Sequence, residues 1–221
     1  MSLIDYPGLI CATIFLQGCN FKCPYCHNPE LVEPRLFQRC IPAAEILKYL
    51  STRKGKLDAV TITGGEPTIQ KDLLPFIQQI KKMGFAVKLD TNGSLPLVID
   101  ALLEEDSLDF IAMDVKGPLD RYDDIARVSV DGQKIKESIK CILKAGIPHE
   151  FRTTVAPALL SEKDILKIAA LISGASRYAL QKFNSVKTLH KEFLQERSFA
   201  GEELVKIKKR LENRILSVIV R

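Results

Sequence analysis

With 221 residues, 46% of them hydrophobic and 27% charged, the chain has the balance of a globular protein that can close a core, and no repeat or low-complexity tract interrupts it. The apolar run from Leu9 to Leu16 is too short to span a bilayer and no basic segment precedes it, so neither a membrane nor export is expected, and a cytoplasmic location is. The net charge of +5 is most visible at Lys206, Lys208, Lys209, Arg210 and Arg214, which alternate with Leu204, Ile207, Leu211 and Ile215 as the solvated face of a helix; with no aromatic residues among them, nucleic-acid binding is not expected.

In chain order, short β-branched runs at residues 10–16, 58–63, 85–90, 110–115, 149–155 and 177–182 predict strands. Between them, residues 42–52, 71–83, 95–104, 132–145 and 161–172 have helical periodicity. A last helix at 201–213 runs into an apolar tail at 215–220. Gly84, Gly146 and Gly174 stand just before three of the strands, where helix C-terminal caps belong. This alternation specifies βα units around a parallel sheet. Six units are too few for a closed eight-fold barrel. The expected fold is therefore α/β, a partial (βα)6 TIM-like barrel: an open parallel sheet with outer helices, in one domain over residues 1–221. A doubly wound sheet is the alternative.

In such sheets the active site gathers at the C-terminal strand ends. There the sequence places Cys19-Asn-Phe-Lys-Cys23-Pro-Tyr-Cys26, then Gly64-Gly65-Glu66-Pro67, then Asp90-Thr91-Asn92-Gly93. Asp114-Val115-Lys116 ends the fourth strand, Arg152 lies in the fifth, and Gln181-Lys182-Phe183-Asn184 follows the sixth. Three of the six cysteines thus fall within one short loop, and in a reducing compartment they read as ligands. Three thiolates on a four-iron cluster leave one iron open to a substrate or cofactor. Structural zinc competes, because His27 follows Cys26 and could complete a Cys3His set. Cys11 and Cys141 read as small core residues, and Cys40 has no motif partner. Asp114 and Lys116 share one strand face, as a ligand pair or as a plain ion pair. Arg152, in a mostly apolar strand, needs an anionic partner.

The Cys-x3-Cys-x-Tyr25-Cys loop followed by Gly-Gly-Glu resembles the radical S-adenosylmethionine (SAM) superfamily. Ser2-Leu-Ile-Asp5-Tyr-Pro-Gly8 and Cys26-His-Asn-Pro-Glu30 resemble, within it, the activating enzymes of glycyl-radical enzymes, of the anaerobic ribonucleotide reductase and pyruvate formate-lyase types. The resemblance runs from about residue 2 to residue 184. It implies a [4Fe-4S] cluster on Cys19, Cys23 and Cys26, and SAM bound beside it and cleaved to methionine and a 5′-deoxyadenosyl radical. It implies SAM contacts from Tyr25, Gly64, Gly65, Glu66 (to the methionine ammonium), Asn92, Asp114, Lys116, Arg152 and Asn184. Asp90 and Thr91, with Asp114, would border a monovalent cation. The implied partners are a glycyl-radical enzyme and a flavodoxin or ferredoxin type electron donor. The rival readings are a radical SAM enzyme acting on a small molecule, and a non-catalytic zinc or iron–sulfur module. Longer activating enzymes insert a cysteine-rich module before Gly-Gly-Glu; here only Cys40 lies in that interval, so no auxiliary cluster is expected.

Overall fold

A computed structural model describes residues 1–221. Seven strands, β1 (Cys11–Leu16), β2 (Ala59–Gly64), β3 (Ala86–Thr91), β4 (Phe110–Asp114), β5 (His149–Val155), β6 (Tyr178–Lys182) and β7 (Val218–Val220), lie side by side in sequence order. Every neighbouring pair is parallel. β1 and β7 do not pair with each other, so the sheet is open, as the sequence predicts. The helices are α1 (Pro29–Val32), α2 (Ala43–Ser51), α3 (Leu73–Lys82), α4 (Pro96–Glu104), α5 (Tyr122–Ala126), α6 (Gly132–Lys144), α7 (Glu162–Leu171) and α8 (Gly201–Leu211). No helix is long and apolar enough to cross a membrane.

Each strand buries an apolar face against the outer helices, Val87 and Leu89 on β3 and Phe151 and Val155 on β5, while the other face carries polar residues such as Lys88, Asp90, Glu150 and Arg152. β2 and β4 are each buried over their first four residues. The helices answer with one stripe each: Leu73, Ile77 and Ile80 on α3, and Ile135, Ile139 and Ile142 on α6, all buried. At about 1.5–3 kcal/mol per fully buried aliphatic side chain, this layer dominates the fold's stability. On α8, Leu204, Ile207 and Leu211 are buried while Lys206, Lys208, Lys209 and Arg210 face outward.

Three expectations change. The tail at 215–220 is not an apolar extension of α8: its end pairs with β6 as a seventh strand, continued by the Arg221 N–H, which donates to the Leu180 carbonyl at 3.0 Å. Two short helices, α1 and α5, lie in stretches with no predicted structure. Cys141 is not fully in the core; it is partly exposed and its thiol donates to Asp100 Oδ1 at 3.1 Å, whereas Cys11 is fully buried. All six cysteines are free thiols.

Candidate active site

The loop after β1 is held from beneath by α5. The Lys22 N–H donates to the Ala126 carbonyl at 2.8 Å, and Phe21 packs edge-on against Tyr122, ring centres 6.2 Å apart. Tyr122 in turn accepts from the Lys116 N–H at 3.1 Å, joining the loop to the end of β4. Above, the His27 Nε2 donates to the Asn184 carbonyl at 2.8 Å, and the imidazole stacks on Phe183. So fixed, Cys19, Cys23 and Cys26 all line one cavity of about 240 Å³. Burial pushes Cys19 up to about 12 and Cys23 to about 11, and raises Cys26 as well; the Lys116 ammonium opposes the shift at all three. Buried thiols of this kind become thiolates only against further positive charge, which the irons of a cluster provide.

The donor set fits a cluster better than a single ion. No three His, Cys, Asp or Glu side chains converge on one point as a mononuclear site requires. His27, the fourth ligand of the zinc reading, gives its Nε2–H to the Asn184 carbonyl. The Tyr25 hydroxyl, buried in the cavity wall and turned toward Cys23, completes no hydrogen bond and is left for a bound group.

The opposite wall comes from the tips of β3, β4 and β5. β4 and β5 pair with Asp114 opposite Arg152. The Arg152 Nε donates to Asp114 Oδ1 at 2.7 Å and its Nη1 to Asp90 Oδ2 at 3.1 Å. Lys116 Nζ lies 3.2 Å from Asp114 Oδ2, and Lys88 Nζ pairs with Asp90. Burial alone would raise the Asp114 pKa, but the Arg152 guanidinium and Lys116 ammonium outweigh it and hold the carboxyl well below the usual carboxylate range. The space between Asp90 and Asp114, expected to take a monovalent cation, is spanned by the Arg152 guanidinium. A fixed cation already neutralises both carboxylates there.

The glycines at the end of β2 and just beyond it are required by close approach. A Cβ on Gly65 would stand 2.0 Å from the Gly18 carbonyl oxygen, and one on Gly64, where φ is +128°, 2.3 Å from that of Leu16. The close approach is therefore to the root of the cysteine loop, which receives hydrogen bonds from the N–H groups of Gly65 and Glu66. Glu66 itself does not line the cavity. Fully buried, its carboxylate accepts from Thr68 N and Oγ1, from Thr91 Oγ1 at 2.7 Å and from Asn92 N at 2.6 Å. Glu66 thereby braces the tip of β3. Burial raises its pKa against these hydrogen bonds. Asn92 lines the cavity and its amide donates to Asn20 Oδ1 at 2.9 Å, tying β3 to the cysteine loop.

Of the residues singled out in the sequence, Tyr25, Gly64, Gly65, Asp90, Thr91, Asn92, Asp114, Lys116 and Arg152 line the cavity with the three cysteines. Asn184 does not; its side chain is exposed and accepts from the Val186 N–H. The supporting roles of Phe21, Tyr122 and Phe183 carried no signal in the sequence and emerge only from the fold. Gln181, at the end of β6, also lines the cavity, and its place at a strand tip was the signal for it.

The radical SAM superfamily model matches residues 13–172, from β1 to the last turn of the β5–β6 crossover. This chain belongs to the radical SAM superfamily. It is 36% identical over its whole length to a Methanocaldococcus jannaschii protein provisionally named a glycyl-radical enzyme activating enzyme, of which it covers 92%. It is 29% identical to the pyruvate formate-lyase-activating enzyme of Clostridium pasteurianum, over 79% of this chain and 74% of that one. Among solved structures, Streptococcus suis SuiB bound to S-adenosylmethionine superposes with a TM-score of 0.75 at 13% identity. That match covers 96% of this chain and half of SuiB, and shows the shared partial barrel.

Proposed function

We propose that this radical SAM enzyme holds a [4Fe-4S] cluster on Cys19, Cys23 and Cys26, binds SAM against the tips of β2 to β5, and installs a glycyl radical on a partner protein. The observation that carries the reading is the cavity itself: three cysteines on one wall face a balanced set of charged and polar strand tips on the other. When bound, the cluster would supply one electron to cleave SAM, giving a 5′-deoxyadenosyl radical that takes a hydrogen atom from the target.

The chain's own residues orient the reactants. Lys116 brings positive charge to the three thiolates and faces the site as a partner for a methionine carboxylate. Asp114, kept ionised by Arg152, is an acceptor suited to ribose hydroxyls. Glu66 acts indirectly, by fixing Thr91 and Asn92. The relatives named as activating enzymes support a glycyl-radical enzyme as the protein substrate, and a flavodoxin or ferredoxin type protein suits the electron supply.

The test is anaerobic reconstitution followed by SAM and dithionite. About four irons per chain and negligible zinc are expected, with formation of 5′-deoxyadenosine on reduction. Cys23→Ala should lose both cluster and product, while Cys141→Ala should keep them. A glycyl-radical EPR doublet on adding a candidate partner identifies that partner. A wild-type protein that holds the cluster and yields no 5′-deoxyadenosine would sink the reading.

A further inference from the structure

One short segment carries the net charge of the chain. Residues 34–57 hold six cations, Arg35, Arg39, Lys48, Arg53, Lys54 and Lys56, against a single acid, Glu45; their balance equals the +5 of the whole chain and leaves the remainder neutral. Only Arg35 has an acid beside it, Glu33 at 3.2 Å. Arg53 lies over the Tyr49 ring, 4.7 Å from its centre, and its Nε has no partner. Unpaired charge of one sign steers in a partner of the other sign.

The same segment walls an apolar groove of about 790 Å³ between β1, α2 and the chain from Gln38 to Ile41. Phe15, Ile41 and Tyr49 line it and are 55%, 66% and 43% exposed, so large apolar side chains stand in water inside a cationic rim. Such a patch marks a surface that another molecule covers. A second copy of this chain would bring the same cations to a two-fold contact and be repelled.

The groove backs onto the cysteine cavity through a thin wall. On α1, Leu31 lines the groove and its neighbour Val32 the cavity, and the two spaces share no lining residue. The Gly18 N–H donates to the Leu31 carbonyl at 2.9 Å, and Cys19 follows Gly18 in the chain. A residue that must give up a hydrogen atom cannot reach the cavity through this wall. An electron requires only the short bonded path.

We infer that the groove docks an acidic one-electron carrier protein, and that the electron enters by way of Leu31, Gly18 and Cys19. This rests on the proposed function and gives its electron supply a surface. The reduced carrier loses one electron and the cluster gains it; no atom is transferred. An apolar patch within a charged rim suits a partner that arrives fast and leaves after one electron, since electron-transfer contacts are small and short-lived.

The reconstituted full chain is titrated by calorimetry with the more active of an acidic flavodoxin and an acidic ferredoxin, and 5′-deoxyadenosine formation is compared with that reduced carrier and with dithionite. Wild type should bind the carrier with an affinity that falls steeply as salt rises. The pair Arg39→Glu, Lys48→Glu, both exposed and outside the cysteine cavity, should weaken binding and raise the carrier KM about tenfold and flatten the salt dependence, while iron content and the dithionite-driven rate stay within about twofold. Ile41→Asp should weaken carrier binding to a similar degree. Unchanged carrier binding and KM in both variants overturn the assignment. So does a dithionite-driven rate that falls in step with the carrier-driven one, which would place the effect in the fold. Loss of glycyl-radical formation with carrier binding intact would make the groove a seat for the protein substrate, and a changed oligomeric state with carrier KM intact would make it a contact between copies; either result also overturns it. Failure to make 5′-deoxyadenosine with either reductant would instead strike the proposed function.

Discussion

A guanidinium taken out of water loses a large hydration energy that only well-placed anions return, and Arg152 has Asp114 at 2.7 Å and Asp90 at 3.1 Å. Replacing it by Leu would leave two carboxylates facing each other with only Lys88 and Lys116 to hold them. Arg152→Leu is expected to lower unfolding stability by about 3–5 kcal/mol in urea titration and to abolish measurable SAM binding. Arg152→Lys keeps the charge but cannot span both partners, and should fall between the two. The sequence announced that Arg152 needs an anion, because a lone charge in an apolar strand is untenable; which anions it takes depends on the β4–β5 register and was not legible. Glu66 differs. Its motif marks it as a ligand contact; Thr68 supplies two local donors, while those of Thr91 and Asn92 reach it only once β2 and β3 lie side by side, so the brace on β3 was not legible. At Gly65 the constraint is steric: Gly65→Ala drives a Cβ into the Gly18 carbonyl, and is expected to reduce iron content on reconstitution markedly while the far side of the barrel stays folded, as amide exchange would report.

Elements were legible where period and punctuation agreed. α7 is the clearest case: Ser161 was predicted at its start, and the structure shows a full capping box there, Ser161 Oγ accepting from the Asp164 N–H at 3.3 Å while the Asp164 carboxylate accepts from the Ser161 N–H at 3.0 Å. β7, a three-residue strand, and α5, little more than one helical turn, were too short for their periodicity to register. They are nonetheless what closes the sheet's second edge and supports the cysteine loop. The capping box gives a prediction with a pH sign. Ser161→Ala should cost about 1 kcal/mol at neutral pH. Burial would raise the Asp164 pKa, but the Ser161 hydrogen bonds and Arg121 outweigh it and hold it below its ordinary value. A depressed folded pKa means that the stabilisation is complete above the unfolded carboxylate value of about 3.9 and is lost as pH falls through the folded one. The stability gap between Asp164→Ala and wild type should therefore be full at pH 6 and shrink progressively below about pH 4.

At the scale of the molecule, an open sheet must protect two edges, and the two ends of this one are treated differently. β1 meets the antiparallel bridge from Ser2 to Cys11, while β7 adds only three residues to β6. So short a strand contributes few ladder bonds, and the side chain just beyond it reinforces them: Arg221 forks onto Glu150, whose side chain is 2% exposed on β5, bridging across β6. Arg177 stands 3.9 Å from the same carboxylate, too far to replace a two-pronged contact. Removing one member of such a pair strands a buried charge, whereas neutralising both removes the desolvation problem together with the attraction. Arg221→Ala alone should then lower stability by about 2–3 kcal/mol, with β7 amides exchanging fastest. The double variant Arg221→Ala, Glu150→Gln should be more stable than Arg221→Ala alone, giving a coupling energy of about 1–3 kcal/mol in a double-mutant cycle. If the two losses simply added, the fork would be a surface contact of little consequence, and the weight of holding β7 would fall on Ile215 and Val218, which are buried beneath α8 and the sheet.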